Sequence, residues 1–352
     1  MSPAARSRNR KKNSKRMRWL LLFMAIIIAG GLYVAFKVFG PNTGSFSEGE
    51  YLYIHTGSSY DAVKAELVNG GFVRDIKSFD LLATEANYPA HIHAGKYRVT
   101  RGMSNYRIIR MLRSGRQEPV KLVINKLRTR QDLINIICKN LEADSNVLKQ
   151  MLHDTVYLAE FGLDTNTAMC AIMPDTYEFF WNTSADKAFR KIEKNYARFW
   201  TGERKAKAAA KDISPVQAVI LASIVEEESN KNDEKPTIAS VYLNRLHKGI
   251  RLQADPTVKY AVGDFSLRRI TGVHLAFASP YNTYQNTGLP PGPICTPSQQ
   301  SIDAVLNAPE TDYIYFCARE DFSGYHRFAA TDAEQAKNAR LYHRALDARG
   351  IH

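Results

Sequence analysis

The sequence predicts an α+β protein with three parts: an N-terminal transmembrane helix, a small α+β module and a larger mixed α+β domain. Three observations carry that prediction. A basic segment is followed by 18 residues without a charge. Two similar short units, each reading as strand, turn and helix, lie between Tyr51 and Gly115. Beyond residue 120, helical patterns are broken by aromatic-rich and proline-rich turns. The chain of 352 residues is long enough for an anchor and two globular pieces.

Residues 1–18 read as a basic cytoplasmic tail. Arg6, Arg8, Arg10, Lys11, Lys12, Lys15, Arg16 and Arg18 give it +8 of the net +13, and it holds no acid. The remainder is only mildly basic, so the charge does not argue for nucleic acid as a partner. Residues 19–36, from Trp19 to Phe36, are uncharged. At 1.5 Å per residue they make a helix about 27 Å long, enough for a bilayer core. The cations precede it, which keeps the N-terminus in the cytoplasm. A cleaved signal peptide is the rival reading, but its apolar region is normally shorter.

Residues 37–50, rich in Gly, Ser, Pro and Asn, read as a linker. Residues 51–119 hold the two similar units. In each, a turn glycine (Gly57, Gly102) is followed two residues later by a serine placed to cap a helix (Ser59, Ser104). A glycine 13 residues past the first (Gly70, Gly115) is placed to stop that helix. The pattern resembles a LysM-type glycan-binding module; a plain spacer domain fits it as well. Residues 120–352 form the larger domain. Its first part is helical in texture and is interrupted by "MPDTYEFFWNTS", an aromatic-rich turn and strand. Cys138, Cys170, Cys295 and Cys317 have no spacing that points to a zinc knuckle or redox pair, and their disulfide state is open. They fit best as small buried residues.

Ser214 and Pro215 open the next helix, and Gln217 completes a capping box. From Val216 to Val225 only Gln217 and Ser223 are polar, so this helix is buried all round. Glu226, Glu227 and Glu228 then fall together in its last turn. The helix dipole is negative there, like charges are adjacent and the neighbours are apolar. All three effects favour the protonated acid, so at least one pKa is expected to be raised, as a general acid needs. Glu226 stands closest to the buried segment, and its carboxyl is expected to be the most desolvated. The bland alternative is that all three are solvated where the helix emerges into "SNKNDEK".

"PTIASVYLNRLHKG" reads as a second amphipathic helix, with Pro near its start and Gly after its end. "IRLQADPTVKYAVG" reads as an extended run with a turn at Asp255-Pro256. The loop "ASPYNTYQNTGLPPGPICTPS" then carries aromatic rings, amides and hydroxyls on a backbone stiffened by proline. Rings stack on sugar faces and amides bond their hydroxyl and acetamido groups, so the loop suits carbohydrate. No nucleophilic Ser or Cys in a protease setting and no H-E-x-x-H pattern is present.

"ASIVEEES", "VYLNRL", "RLQADPTVKYAVG", "SPYNTYQNTGLPPGPICTPS", "DYIYFCA", "AGKYRVTRGMSNYRIIRMLRSG" and "MPDTYEFF" closely resemble the MltG (YceG-like) endolytic murein transglycosylases. The resemblance runs from the anchor almost to the C-terminus and is densest over residues 215–318. It implies a YceG-like catalytic domain in a single-pass inner-membrane enzyme. The outer part of such an enzyme cuts nascent peptidoglycan strands internally, with peptidoglycan synthases as partners. It implies Glu226 as the catalytic glutamate, with Glu228 in reserve. Gln253, Asp255, Tyr281, Asn282, Thr283 and Tyr284 are then expected to line the cleft beside Glu228. Asp255 suits a structural cap equally well. Where the family often has Glu-Lys-Glu, this chain has three glutamates, which leaves the tuning of the acid in question. A lytic transglycosylase takes its nucleophile from the substrate, so no cofactor, metal or second carboxylate is expected. The rival functions are a non-catalytic glycan-binding scaffold and a hydrolytic muramidase using two carboxylates.

Overall fold

The computed structural model describes residues 3–47, 49–267 and 269–350; the side chains of residues 3–14, which carry most of the basic tail, lie outside that description. The chain divides into two units: Met1–Val120 with Phe180–Asn182, and Lys121–Phe179 with Thr183–His352.

In the first unit, α1 (Pro3–Phe39) contains a stretch, Lys15–Phe39, long and apolar enough to cross a membrane. Every side chain from Lys15 to Phe36 is exposed, a pattern consistent with a membrane anchor. Strand β1 (Leu52–Ile54) is followed by α2 (Tyr60–Asn69), α3 (Ile76–Glu85), β2 (Gly95–Tyr97) and α4 (Asn105–Arg113). The two strands pair antiparallel, with Leu52 opposite Tyr97. The expected caps are in place: Ser59 accepts from the Ala62 amide and Ser104 from the Arg107 amide. Leu52, Ile54, Leu67, Phe79, Tyr97, Ile108 and Leu112 form the core.

The expected linker is not a free tether. Phe46 is buried in this core, and the Asn42 amide donates to the Asp75 carbonyl at 3.0 Å and to Asn105 Oδ1 at 2.6 Å. Gly44 passes so close to Gly71 that a Cβ would stand 2.3 Å from its carbonyl oxygen. Small and polar residues there serve close packing rather than flexibility.

The boundary falls after the first residue of β3 (Val120–Ile124), and α5 (Arg130–Asn140), α6 (Ser145–Met151) and α7 (Thr155–Ala159) follow in the second unit. Strand β4 (Asp175–Phe179), inside the aromatic-rich segment, pairs with β3. Helices α8 (Ala185–Phe199), α9 (Gly202–Ala209) and α10 (Pro215–Glu228) follow. Next come α11 (Lys235–His247), α12 (Asp255–Val262), α13 (Gly272–Leu275) and α14 (Gln299–Leu306). The chain closes with the antiparallel pair β5 (Tyr315–Ala318) and β6 (His326–Ala329) and with α15 (Asp332–Asp347). All four cysteines are free, and Cys170 and Cys295 are buried.

One expected element differs in kind. The run around Asp255-Pro256 is helix α12, not an extended turn. Pro256 sits in its first turn, where a missing N–H costs nothing, and Gly263 ends it at φ +77°.

Candidate active site

Helix α10 is the axis of the site. Ser214 Oγ accepts from the Gln217 amide at 3.2 Å, and Gln217 Oε1 accepts from the Ser214 amide at 2.8 Å, which closes the capping box. Residues Ala218–Val225 are buried on every side, against α11, α12 and α14 among others. The buried Ser223 hydroxyl donates to the Ile220 carbonyl at 2.7 Å and accepts from the Ile294 amide at 3.0 Å. The proline-rich loop is thereby strapped to the helix that carries the glutamates. Within that loop, a Cβ on Gly292 would stand 2.1 Å from the Asn166 carbonyl oxygen and 2.9 Å from the Tyr281 hydroxyl.

The three glutamates point into three different environments, as successive residues 100° apart on a helix must. Glu226 Oε2 lies 3.2 Å from Lys235 Nζ and accepts the Ser298 hydroxyl at 2.7 Å and the Ser301 hydroxyl. Ser298 caps α14, so this carboxylate also sits at a positive helix end. Burial alone would raise its pKa; the two serines and Lys235 outweigh burial and hold it below the ordinary value. Glu227 pairs with Lys126 Nζ at 2.6 Å and Arg128 Nη2 at 3.1 Å. Burial opposes ionisation here too, and the two cations again bring the pKa down.

Glu228 is different. Its Oε1 accepts the Tyr242 hydroxyl at 2.5 Å, and no Lys or Arg pairs with it among the described residues. The residue keeps some exposure, yet protein crowds its carboxyl from all sides. Burial dominates and pushes the pKa up to about 7; the Tyr242 hydrogen bond pulls it down, and the charge of Asp255 adds to the rise. One glutamate is thus raised, through burial, but it is Glu228. Glu226 was expected to be the most desolvated; Glu228 is instead, and the polar contacts of Glu226 outweigh its own burial and lower its pKa.

The predicted lining residues divide into two groups. Asp255 lies in the first turn of α12 and accepts the Tyr284 hydroxyl at 2.6 Å. It makes no cap: the N-cap is Ala254, without a side-chain bond. Gln253 adopts φ +53° and its Oε1 accepts from Arg245 at 3.1 Å. Tyr281 packs its ring 4.8 Å from that of Tyr260. These residues retain partial exposure or better. Asn282 and Thr283 are fully buried and do not line a cleft. The Asn282 amide donates to the Leu275 and Phe277 carbonyls at 3.0 and 2.8 Å. Thr283 Oγ1 accepts from the Ala254 amide at 3.0 Å and bonds Thr257 at 2.8 Å. Both fix the loop that presents Tyr281 and Tyr284. A recess of about 50 Å³ beside Glu227 is walled by Arg128, Pro256, Lys259, Phe265 and Ile294.

Sequence reasoning missed Tyr242, Lys235, Ser298, Ser301, Lys126 and Arg128. Tyr242 gave a faint signal, as a hydroxyl-bearing ring on the buried stripe of α11. The pair Ser298 and Ser301 reads as an N-cap, but nothing local says that a carboxylate from residue 226 docks on it.

A model of the YceG-like family matches residues 52–341. An endolytic murein transglycosylase of Bacillus subtilis is 30% identical over 315 residues, covering 84% of this chain and 86% of that protein. One of Streptococcus pneumoniae is 25% identical over 338 residues, and there the match covers 85% of this chain but 60% of the longer relative. The crystal structure of a YceG-like protein from Listeria monocytogenes superposes with a TM-score of 0.52 at 26% identity. It covers 82% of this chain and 98% of that one.

Proposed function

The chain belongs to the YceG-like family, and from that premise we propose that it is an endolytic murein transglycosylase with Glu228 as its acid and base. The names of the relatives support the reaction class. The observation that supports Glu228 is the contrast of partners within α10: its carboxyl meets the Tyr242 hydroxyl in a crowded setting that favours the protonated form, while Glu226 and Glu227 are each paired with a cation. A general acid must carry a proton at working pH, and a carboxyl poised near 7 does so.

The reaction balances on that single group. Protonated Glu228 gives its proton to the glycosidic oxygen between N-acetylmuramic acid and N-acetylglucosamine, and the bond to muramic C1 breaks. The resulting carboxylate takes the proton of the muramic 6-hydroxyl as O6 bonds to C1. The product carries a 1,6-anhydro ring, no water is consumed, and Glu228 ends protonated as it began. Tyr242 positions the carboxyl, and Tyr281, Tyr284, Gln253 and Asp255 are read as the sugar-binding wall. Glu226 ties α10 to α11 and α14 and is read as a framework residue. Asp255, whose charge bears on the Glu228 carboxyl, would be the partner in a muramidase.

Helix α1 is read as a single-pass anchor in the inner membrane, with the basic tail in the cytoplasm. The first unit is read as a LysM-like module; the antiparallel β1–β2 pair, with α2 and α3 between its strands, supports it. Peptidoglycan strands are the substrate, and peptidoglycan synthases are the partners this placement favours. The test is product mass after digestion of uncross-linked strands. Internal fragments one water lighter than reducing-end fragments are expected; reducing ends would replace this reading with hydrolysis.

A further inference from the structure

Within the first unit, the outer end of α1 lies against α3 and α4, where two adjacent recesses have Leu82 and Glu85 in both linings and are taken together as a trough. The lower recess, about 530 Å³, lies between Tyr33, Val34 and Val38 of α1 and Leu81 and Leu82 of α3. The upper one, about 650 Å³, has Ala86 and Ile109 as its apolar floor and Tyr106, Arg110 and Arg113 at its rim. Tyr33 lies three residues inside the apolar run that ends at Phe36, about 5 Å below its end at 1.5 Å per residue. With α1 in a bilayer, the apolar recess therefore opens at the depth of the upper acyl chains, and the arginine rim stands outside it.

The charge fits that placement. Lys77, Arg110 and Arg113 are exposed and have no side-chain partner among the described residues. Against them stands the single acid Glu85, because Asp75 is neutralised by Lys37 at 2.6 Å. His91 is committed to the Asn87 carbonyl. Leu81 is 69% exposed and faces this same region, a liability in water and an anchor at an interface.

We infer that this trough is a binding site for one anionic phospholipid of the outer leaflet, its phosphate on Arg110 and Arg113 and its upper acyl chain between α1 and α3. The site holds the first unit down on the membrane surface. The inference rests on the reading of α1 as an anchor. Cations outside a bilayer attract anionic lipid electrostatically, and the apolar trough adds the chain-level contact that a bare polybasic patch lacks.

The experiment is native mass spectrometry of the full chain released from nanodiscs of phosphatidylcholine containing phosphatidylglycerol, beside an Arg110→Gln/Arg113→Gln variant. The basic tail is common to both, so lipid it holds cancels in the comparison. The wild type is expected to retain one phosphatidylglycerol at least fivefold more often than the variant, and no extra phosphatidylcholine. Equal retention by the two proteins overturns the inference. So does displacement of the lipid by inorganic phosphate, which would show an ion site without the chain. Failure of the anchor is read separately: a chain washed from vesicles by alkaline extraction removes that reading, whereas one that stays but shows no arginine dependence removes only this one.

Discussion

At the scale of single residues, three adjacent carboxyls are sorted by what each meets. Removing a partner from a buried ion pair leaves an uncompensated charge and costs about 3 kcal/mol. Lys235, 5% exposed at its side chain, stands in that position if Glu226 becomes neutral. Glu226→Gln should therefore lower the melting temperature, and a second change, Lys235→Met, should restore much of it; calorimetry of the single and double variants checks both. Glu228 works with the opposite sign. Its folded pKa is near 7 against an ordinary value of 4.5, so between those values the folded state holds a proton the unfolded chain has lost. Its contribution is full below about pH 4.5 and is lost as pH rises towards 7, by about 3 kcal/mol in total. Glu228→Gln should flatten the stability profile across that window. Activity should fall tenfold per pH unit above about 7, as the acid form disappears. Tyr242→Phe removes a hydrogen bond that lowers the Glu228 pKa, so the alkaline limb of kcat/KM should move to higher pH.

At the scale of elements, the glutamate helix was legible because its signals are local: a capping box, a proline at its start and ten residues with almost no polar side chain. That a glutamate there would be raised was legible for the same reason. Which one was not, because the deciding partners arrive from 72 and 75 positions away at Ser298 and Ser301. Proximity to the apolar segment favoured Glu226, and long-range polar contacts won. Helix α12 was misread because Asp-Pro is also turn chemistry; only packing against α10 shows which structure it starts. The proline-rich loop is held by the Ser223 bond to the Ile294 amide and by the close approach at Gly292. Gly292→Ala would push a methyl into the Asn166 carbonyl, which cannot yield as a side chain would. Overpacking of this kind costs about 1–3 kcal/mol. Strand cleavage should fall with the melting temperature, and cleavage and unfolding assays on the same preparation check that.

At the scale of the whole chain, the long apolar N-terminal helix, the two repeated units and the glutamate helix were readable from composition and spacing. The segment after the anchor was not, because Asn42 and Phe46 look like linker residues until their partners Asp75, Asn105 and Phe72 are seen. A chain lacking residues 1–38 should float free of vesicles yet yield the same glycan ends as the full chain, since α10 and its partners lie in the second unit. The central claim is that a single carboxyl, Glu228, carries the proton both ways. Turnover of uncross-linked glycan strands by the wild type, Glu228→Gln and Glu226→Gln tests it, with strand binding measured on the same folded proteins. Loss of turnover by about 10²-fold or more in Glu228→Gln with binding intact, and substantial turnover in folded Glu226→Gln, is the predicted result. An active Glu228→Gln beside an inactive, folded Glu226→Gln would contradict it.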